Sequence, residues 1–289
     1  MATGKKLVLV VGFGYGDCEE SLRLPSGILV DIYLAYRHAL EIAADRILVI
    51  TDFEVGRANI PYDMVIEGHL GSDLLEFLGD LVRSKEIRTY SHSLIFKKDL
   101  QTFIKEGRQI IFFYTGHAQK GKIVLPFYRP PFLSFHESSK TPQVDYIDLK
   151  IVLKWVIEAS DPQARILGIL DACPPHDTGL KYLWGPRGSS ALPRGDLKLG
   201  QRRLTVIAST TGQELAYASR RGSFFTAALF ALLREKTSKK DALGLEELPG
   251  RIFVSHPHLQ ELGYWVTTPT KIEVTYEALR GTYRLFGRE

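Results

Sequence analysis

Two apolar runs constrain this chain more than anything else in it: Ile110-Ile111-Phe112-Phe113-Tyr114 and Ile166-Leu167-Gly168-Ile169-Leu170. Neither alternates polar with apolar residues, so a strand built from either needs cover on both faces. That is the condition of a parallel sheet held between helices. Each run stops abruptly at polar residues, the first at Thr115-Gly116-His117-Ala118 and the second at Asp171-Ala172-Cys173. Open parallel sheets bind and react beyond the carboxyl ends of their strands, so neighbouring strands would bring one histidine and one cysteine together there.

The rest of the chain repeats the strand-then-helix signal. Leu7 to Val11 reads as a strand, about Leu29 to Ala44 as a helix and Ile47 to Ile50 as the next strand, a βαβ pattern. A second helix is expected at Ser72 to Arg83, where Leu74, Leu75, Leu78 and Leu81 recur at helical spacing. Another is expected before the His117 strand, with Leu100, Phe103 and Ile104 facing the sheet. Ile123-Val124-Leu125 and Phe127-Tyr128 suggest a short hairpin flap, the Pro-rich stretch after it a loop, and Tyr146 to Ala159 a helix. Residues 174–203 carry Pro174, Pro175, Pro186 and Pro193 among glycines and basic residues, which predicts a long surface loop. Leu204 to Ala208 predicts a strand, Phe224 to Leu233 an apolar helix and Ile272 to Val274 a late strand.

With 289 residues and 45% hydrophobic content the chain can bury one full sheet, so residues 1–289 are expected to form one domain without a large segment before residue 7. Two cysteines, Cys18 and Cys173, are too few for a disulfide framework and fit a reducing, cytoplasmic setting. The opening Met1 to Lys6 runs straight into a strand and reads as neither signal peptide nor membrane span. The net charge of +4 is spread along the chain rather than gathered beside aromatics, which argues against nucleic acid as a partner. Gly12-Phe13-Gly14-Tyr15-Gly16 lacks the GxGxxG spacing of a nucleotide loop. His69, His256 and His258 have no ligand-like spacing with other donors, and His176, after two prolines, is expected to face solvent.

A free thiol beside an imidazole is the pair that nucleophilic attack on a carbonyl requires. Here the residues resemble a known family, the caspase-metacaspase cysteine peptidases (peptidase C14 type), over nearly the whole length. Phe113-Tyr114-Thr115-Gly116-His117-Ala118 is similar to the family's histidine motif and Leu170-Asp171-Ala172-Cys173 to the metacaspase cysteine motif. Thr205 to Gln213 and Ser223-Phe224-Phe225-Thr226-Ala227-Ala228-Leu229 resemble the strand and helix that follow. His117 precedes Cys173 by a spacing close to the roughly 50 residues found in caspases.

The resemblance implies the caspase-hemoglobinase fold, a three-layer α/β/α sandwich around a mainly parallel sheet of about six strands. It implies a Cys-His endopeptidase in which Cys173 attacks, His117 moves the proton, and the backbone NH groups of Ala118 and Cys173 form the oxyanion hole. It further implies an S1 pocket made by Asp31, Thr115 and Asp171 and cleavage after Arg or Lys, since two acids select a cation and reject an acidic side chain. Protein or peptide substrates, a monomer, and self-processing at the basic residues of 181–203 (Lys181, Arg187, Arg194, Lys198, Arg202, Arg203) follow from the same resemblance.

The pattern departs in two places. Pro174-Pro175 stands where metacaspases commonly continue with His-Ser, removing two NH donors from the strand exit. Between Cys173 and Arg203 only Asp177 and Asp196 are acidic, so calcium activation, which many metacaspases need, lacks local ligand spacing. The resemblance leaves calcium activation open, and the residues point to no other cofactor. A catalytically silent scaffold of the same family and a caspase-like enzyme cleaving after Asp are the rival readings. For Asp31 alone, a charge favoured by a helix N-terminus is the plainer alternative, and for Asp171 a cap at the strand end.

Overall fold

Strands covered on both faces form the centre of the molecule, a computed structural model that describes residues 5–15, 25–51, 93–105, 107–119, 122–127, 143–172, 182–185, 188–191, 200–209, 218–219, 222–238 and 271–274. In chain order the elements are β1 (Lys5–Gly12), α1 (Pro25–Glu41), β2 (Arg46–Thr51), α2 (Ser93–Ile104), β3 (Gly107–Thr115), β4 (Ala118–Gln119), β5 (Lys122–Phe127), β6 (Gln143–Asp148), α3 (Leu149–Ala159), β7 (Arg165–Asp171), β8 (Tyr182–Gly185), β9 (Gly188–Ala191), β10 (Arg203–Ala208), β11 (Ala218–Ser219), β12 (Gly222–Ser223), α4 (Phe224–Ser238) and β13 (Lys271–Val274).

The main sheet runs β2-β1-β3-β7-β10-β13-β8-β9. Its first five strands pair in parallel, and β13, β8 and β9 add on by antiparallel pairing. The three-layer α/β/α sandwich with a mainly parallel sheet is therefore present, with eight strands in the sheet among the described residues. The additional pair, β8 and β9, lies inside residues 174–203, where a continuous loop is expected from composition. Strands of four residues are too short to show a period, and at a sheet edge Gly188, Ser189 and Ser190 need not be β-formers.

Period-two alternation divides the core. Leu7, Leu9 and Val11 of β1, Ile110, Phe112 and Tyr114 of β3, and Ile166 and Leu170 of β7 face α2 and α3. Val8 and Val10, Ile111 and Phe113, and Leu167 and Ile169 face α1 and α4. Each such side chain, taken fully out of water, contributes about 1.5–3 kcal/mol. Leu100, Phe103 and Ile104 of α2 are buried against the first face, as their spacing predicts. The chain leaves β1 through α1 to β2 on one side, then returns through α2 to β3 on the other. Strand order thus reverses between β1 and β3, the kind of crevice where open α/β sheets place their sites.

Three boundaries differ from the sequence reading. Helix α1 begins at Pro25, whose locked φ suits the first helical position. It stops at Glu41, not Ala44, because Ala43 adopts φ 50° and the Ala44 N–H closes back on the Ala39 carbonyl at 3.0 Å. Tyr146 and Ile147 belong to β6, not to a helix; Asp148 caps α3 by accepting from the Lys150 N–H at 2.8 Å, so the helix starts at Leu149. The predicted flap is one continuous strand, β5, lying between β4 and β6. Pro126 does not break it: among the described residues β4 pairs only as far as Ile123, so the edge beside Pro126 has no strand whose ladder a missing N–H would interrupt. The expected helix at Ser72 to Arg83 lies outside the described residues, as does most of the Pro-rich stretch before β6.

Candidate active site

The ladder continues one step past the strand ends. Phe13 N–H donates to the Thr115 carbonyl at 3.4 Å, Gly116 N–H to the Asp171 carbonyl at 3.2 Å, and Ser209 N–H to the Leu170 carbonyl at 2.9 Å. Register sets Gly12 beside Thr115 and Thr115 beside Asp171. Because side chains alternate between faces, Tyr114 stays on the face of α2 and α3, whereas Thr115 and Asp171 turn towards α1 and α4.

On the α1 side, Asp31, Thr115 and Asp171 come together around Ser223. Asp31 is completely buried two turns into α1, which removes the alternative of a first-turn charge at the helix N-terminus. Its Oδ2 accepts from Thr115 Oγ1 at 3.1 Å and its Oδ1 from the Ser223 N–H at 2.8 Å. Ser223 also donates through its hydroxyl to Asp171 Oδ2, where Thr226 Oγ1 donates as well. Ser223 Oγ accepts the Thr226 N–H at 3.1 Å and so caps α4, joining the helix start to both acids. Gly222, at φ 101°, fits because a Cβ there would stand 2.8 Å from Asp31 Oδ1.

Burial governs the charge of this pair. It raises Asp31 well above the ordinary carboxylate range, helped by the negative charge of Asp171. Asp171 is raised to about 6, again by burial, with hydrogen bonds from the Thr226 and Ser209 hydroxyls and the Thr226 amide opposing the rise. Burial thus raises both acids, and the repulsion between them disfavours ionising the pair together.

On the other face, His117 follows β3 and is partly exposed. Its N–H donates to Tyr15 Oη at 2.6 Å and its carbonyl accepts from Tyr114 Oη at 2.5 Å. The ring of Tyr15 lies 4.8 Å from the imidazole, tilted by 40°. Ala118 opens β4 and packs partly buried against the core. Cys173 lies outside the described residues; the chain is described up to Ala172, whose carbonyl accepts from Ser209 Oγ at 3.4 Å.

Sequence reasoning missed Tyr15, Tyr114, Ser209, Ser223 and Thr226. The spacing of Ser223 and Thr226 at a helix start is a readable capping signal. Nothing local marks Tyr15, whose role depends on a residue about a hundred positions away. Among the described residues, no group of three or more His, Cys, Asp or Glu is placed to hold a metal ion. No helix among the described residues is long and apolar enough to cross a membrane.

No protein-family model and no curated protein sequence matches this chain. Among solved structures it is similar to a structural-genomics protein from Geobacter sulfurreducens, with a TM-score of 0.50 and 13% identity, over 99% of this chain and 100% of that one. It is also similar to caspase-1 from Spodoptera frugiperda, with a TM-score of 0.40 and 14% identity, over 86% of this chain and 78% of that one. The first likeness establishes a shared fold; identities this low say nothing about chemistry.

Proposed function

We propose that this chain is a caspase-like cysteine endopeptidase of the metacaspase kind, cleaving after Arg or Lys. The observation that carries the proposal is the register of β3 on β7. The two strands are adjacent and parallel and end side by side at Thr115 and Asp171, and His117 and Cys173 each follow two residues later in sequence. A histidine and a cysteine at matching positions past adjacent strand ends are the pair that acyl transfer needs.

In this reading the Cys173 thiol passes its proton to the His117 imidazole and the sulfur attacks the scissile carbonyl carbon. The oxyanion accepts from the Ala118 and Cys173 NH groups, a donor of this kind being worth about 3 kcal/mol in the transition state. His117 then protonates the leaving amine, and the acyl-thioester remains. Water, deprotonated by the same imidazole, attacks the thioester to release the acid and restore the thiol. Positioned proton transfer of this sort contributes roughly 10²- to 10⁴-fold.

Asp31, Thr115 and Asp171 would form the floor of the S1 pocket. Support comes from their assembly around Ser223 and from burial that raises both acids above the ordinary carboxylate range, so that one bound guanidinium or ammonium would offset the charge of the pair. Full burial of both acids supports equally the rival in which they form a structural knot in a silent scaffold. For self-processing, Arg202 is a poor site because its guanidinium donates to Ser160 Oγ at 3.0 Å and to the Ser160 carbonyl at 2.9 Å. Arg203 is paired into β10. The sites proposed are therefore Lys181, Arg187, Arg194 and Lys198.

The test is hydrolysis of fluorogenic peptides varying only P1 among Arg, Lys, Asp and Ala, with and without calcium, alongside the intact mass of the chain. Cleavage after Arg or Lys that disappears in Cys173→Ala is the expected result. Cleavage after Asp would overturn the pocket assignment. No cleavage under any condition, by intact or processed chain, would overturn the enzyme reading in favour of a scaffold.

A further inference from the structure

We infer that Tyr15 and Tyr114 form a hydroxyl clamp that positions His117 for its proton transfers. Its catalytic part rests on the peptidase reading above; its geometry stands on its own. His117 N–H donates to Tyr15 Oη at 2.6 Å, the two phenol oxygens are 3.2 Å apart, and Tyr114 Oη donates to the His117 carbonyl at 2.5 Å. An N–H only donates and a carbonyl only accepts. The middle proton therefore runs from Tyr15 to Tyr114, and the ring of hydrogen bonds closes through the two main-chain polar groups of one residue. A longer approach of 3.5 Å joins Tyr15 Oη to the same carbonyl.

Placement argues for a positioning role. His117 sits between the end of β3 and the start of β4, where the sheet ladder supports its neighbours rather than itself. Both tyrosines are fully buried, which limits the competition of water for these part-buried bonds and lets each strengthen the next. The Tyr15 ring also flanks the imidazole. Two uncommon backbone states surround the arrangement. Tyr15 has φ 65°, and Gly116 has φ 148°, with a Cβ there falling 2.8 Å from Tyr15 Oη and 3.2 Å from Tyr114 Oη. Strained conformations of this kind persist where the surroundings over-determine them, and they gather at functional sites.

Tyr15→Phe and Tyr114→Phe each delete one hydroxyl and keep the ring. On the best peptide, each is expected to lower kcat by about 10- to 100-fold, the usual cost of a misplaced catalytic group, while KM stays within about twofold. The double variant should lose little more than either single one, because opening the ring once removes its effect. Unchanged kcat in either variant that remains folded by circular dichroism would overturn the clamp while leaving the peptidase reading intact. Hydrogen exchange at the His117 amide reads the clamp without any substrate. Slow exchange in the wild-type chain, at least about tenfold faster in Tyr15→Phe, is expected. Equal exchange in both would overturn the clamp, even if the wild-type chain cleaves nothing and the peptidase reading fails by itself.

Discussion

The two faces of the sheet end differently at the same edge. Towards α2 and α3 the last buried polar groups are neutral phenols, which form one closed ring of hydrogen bonds around the His117 main chain. Towards α1 and α4 they are two carboxylates, which take hydrogen bonds from several hydroxyl and amide donors and still have pKa values raised above the usual carboxylate range. Neutral groups can be buried once their hydrogen bonds are made. Charges in the same position shift their protonation state instead. The phenol face is therefore held by geometry alone, whereas the acid face answers to pH.

The comparison breaks first on the apolar core beneath these groups. Phe112 and Phe113 are both fully buried, one on each face, and Phe113 meets Phe230 edge-on at 5.5 Å. Each Phe→Ala variant is expected to lose about 3–5 kcal/mol in denaturant unfolding. Losses differing by more than about 2 kcal/mol would show that one face carries the fold and that the difference is not confined to the edge.

A pH series tests the charged face alone. The native pKa of Asp171 is raised from 3.8 to about 6, so between these values the folded chain binds more protons than the unfolded one. Stability from this group is greatest below about pH 4, falls as pH rises towards 6, and stays low above it, by on the order of 3 kcal/mol. Asp31, raised further, extends the same fall to higher pH. Asp171→Asn should flatten the fall between pH 4 and 6. An unchanged pH profile would mean that the acid is not titrating as its burial requires. Tyr15→Phe, on the neutral face, should leave that part of the profile as it is.

Two glycines give the smallest and most direct contrast. Gly116 lies under the tyrosine ring and Gly222 under Asp31, each with positive φ and each 2.8 Å from a polar oxygen at its missing Cβ position. Either Gly→Ala change should cost about 1–3 kcal/mol. Only Gly116→Ala should speed hydrogen exchange at His117, and only Gly222→Ala should alter the pH dependence. The reverse pattern would show the two clusters to be coupled through β3.

Much of this architecture is legible in the amino-acid sequence. The runs at 110–114 and 166–170 require strands covered on both faces, and their polar ends put Thr115, His117 and Asp171 at one edge. Asp31 is legible only through family resemblance, because one acid inside a helix carries no local signal. Helix ends are less readable, since the Asp148 cap sits inside a stretch that reads as helix from Tyr146, and Ala43 closes α1 at a positive φ that alanine seldom adopts. The hairpin of β8 and β9 escapes notice because four residues are too few to establish a period.

Alternation and run length are properties of neighbouring residues, so the sequence by itself determined the sheet, its covering on both faces and the edge where polar chemistry gathers. Only the tertiary structure decided what that chemistry touches. Tyr15 reaches His117 across 102 positions and Ser223 reaches Asp31 across 192. No local pattern encodes such contacts, because they arise where helices and loops from distant parts of the chain converge on one strand end. The protonation of the two acids depends on their shared burial, which exists only once α1, β7 and α4 have packed together.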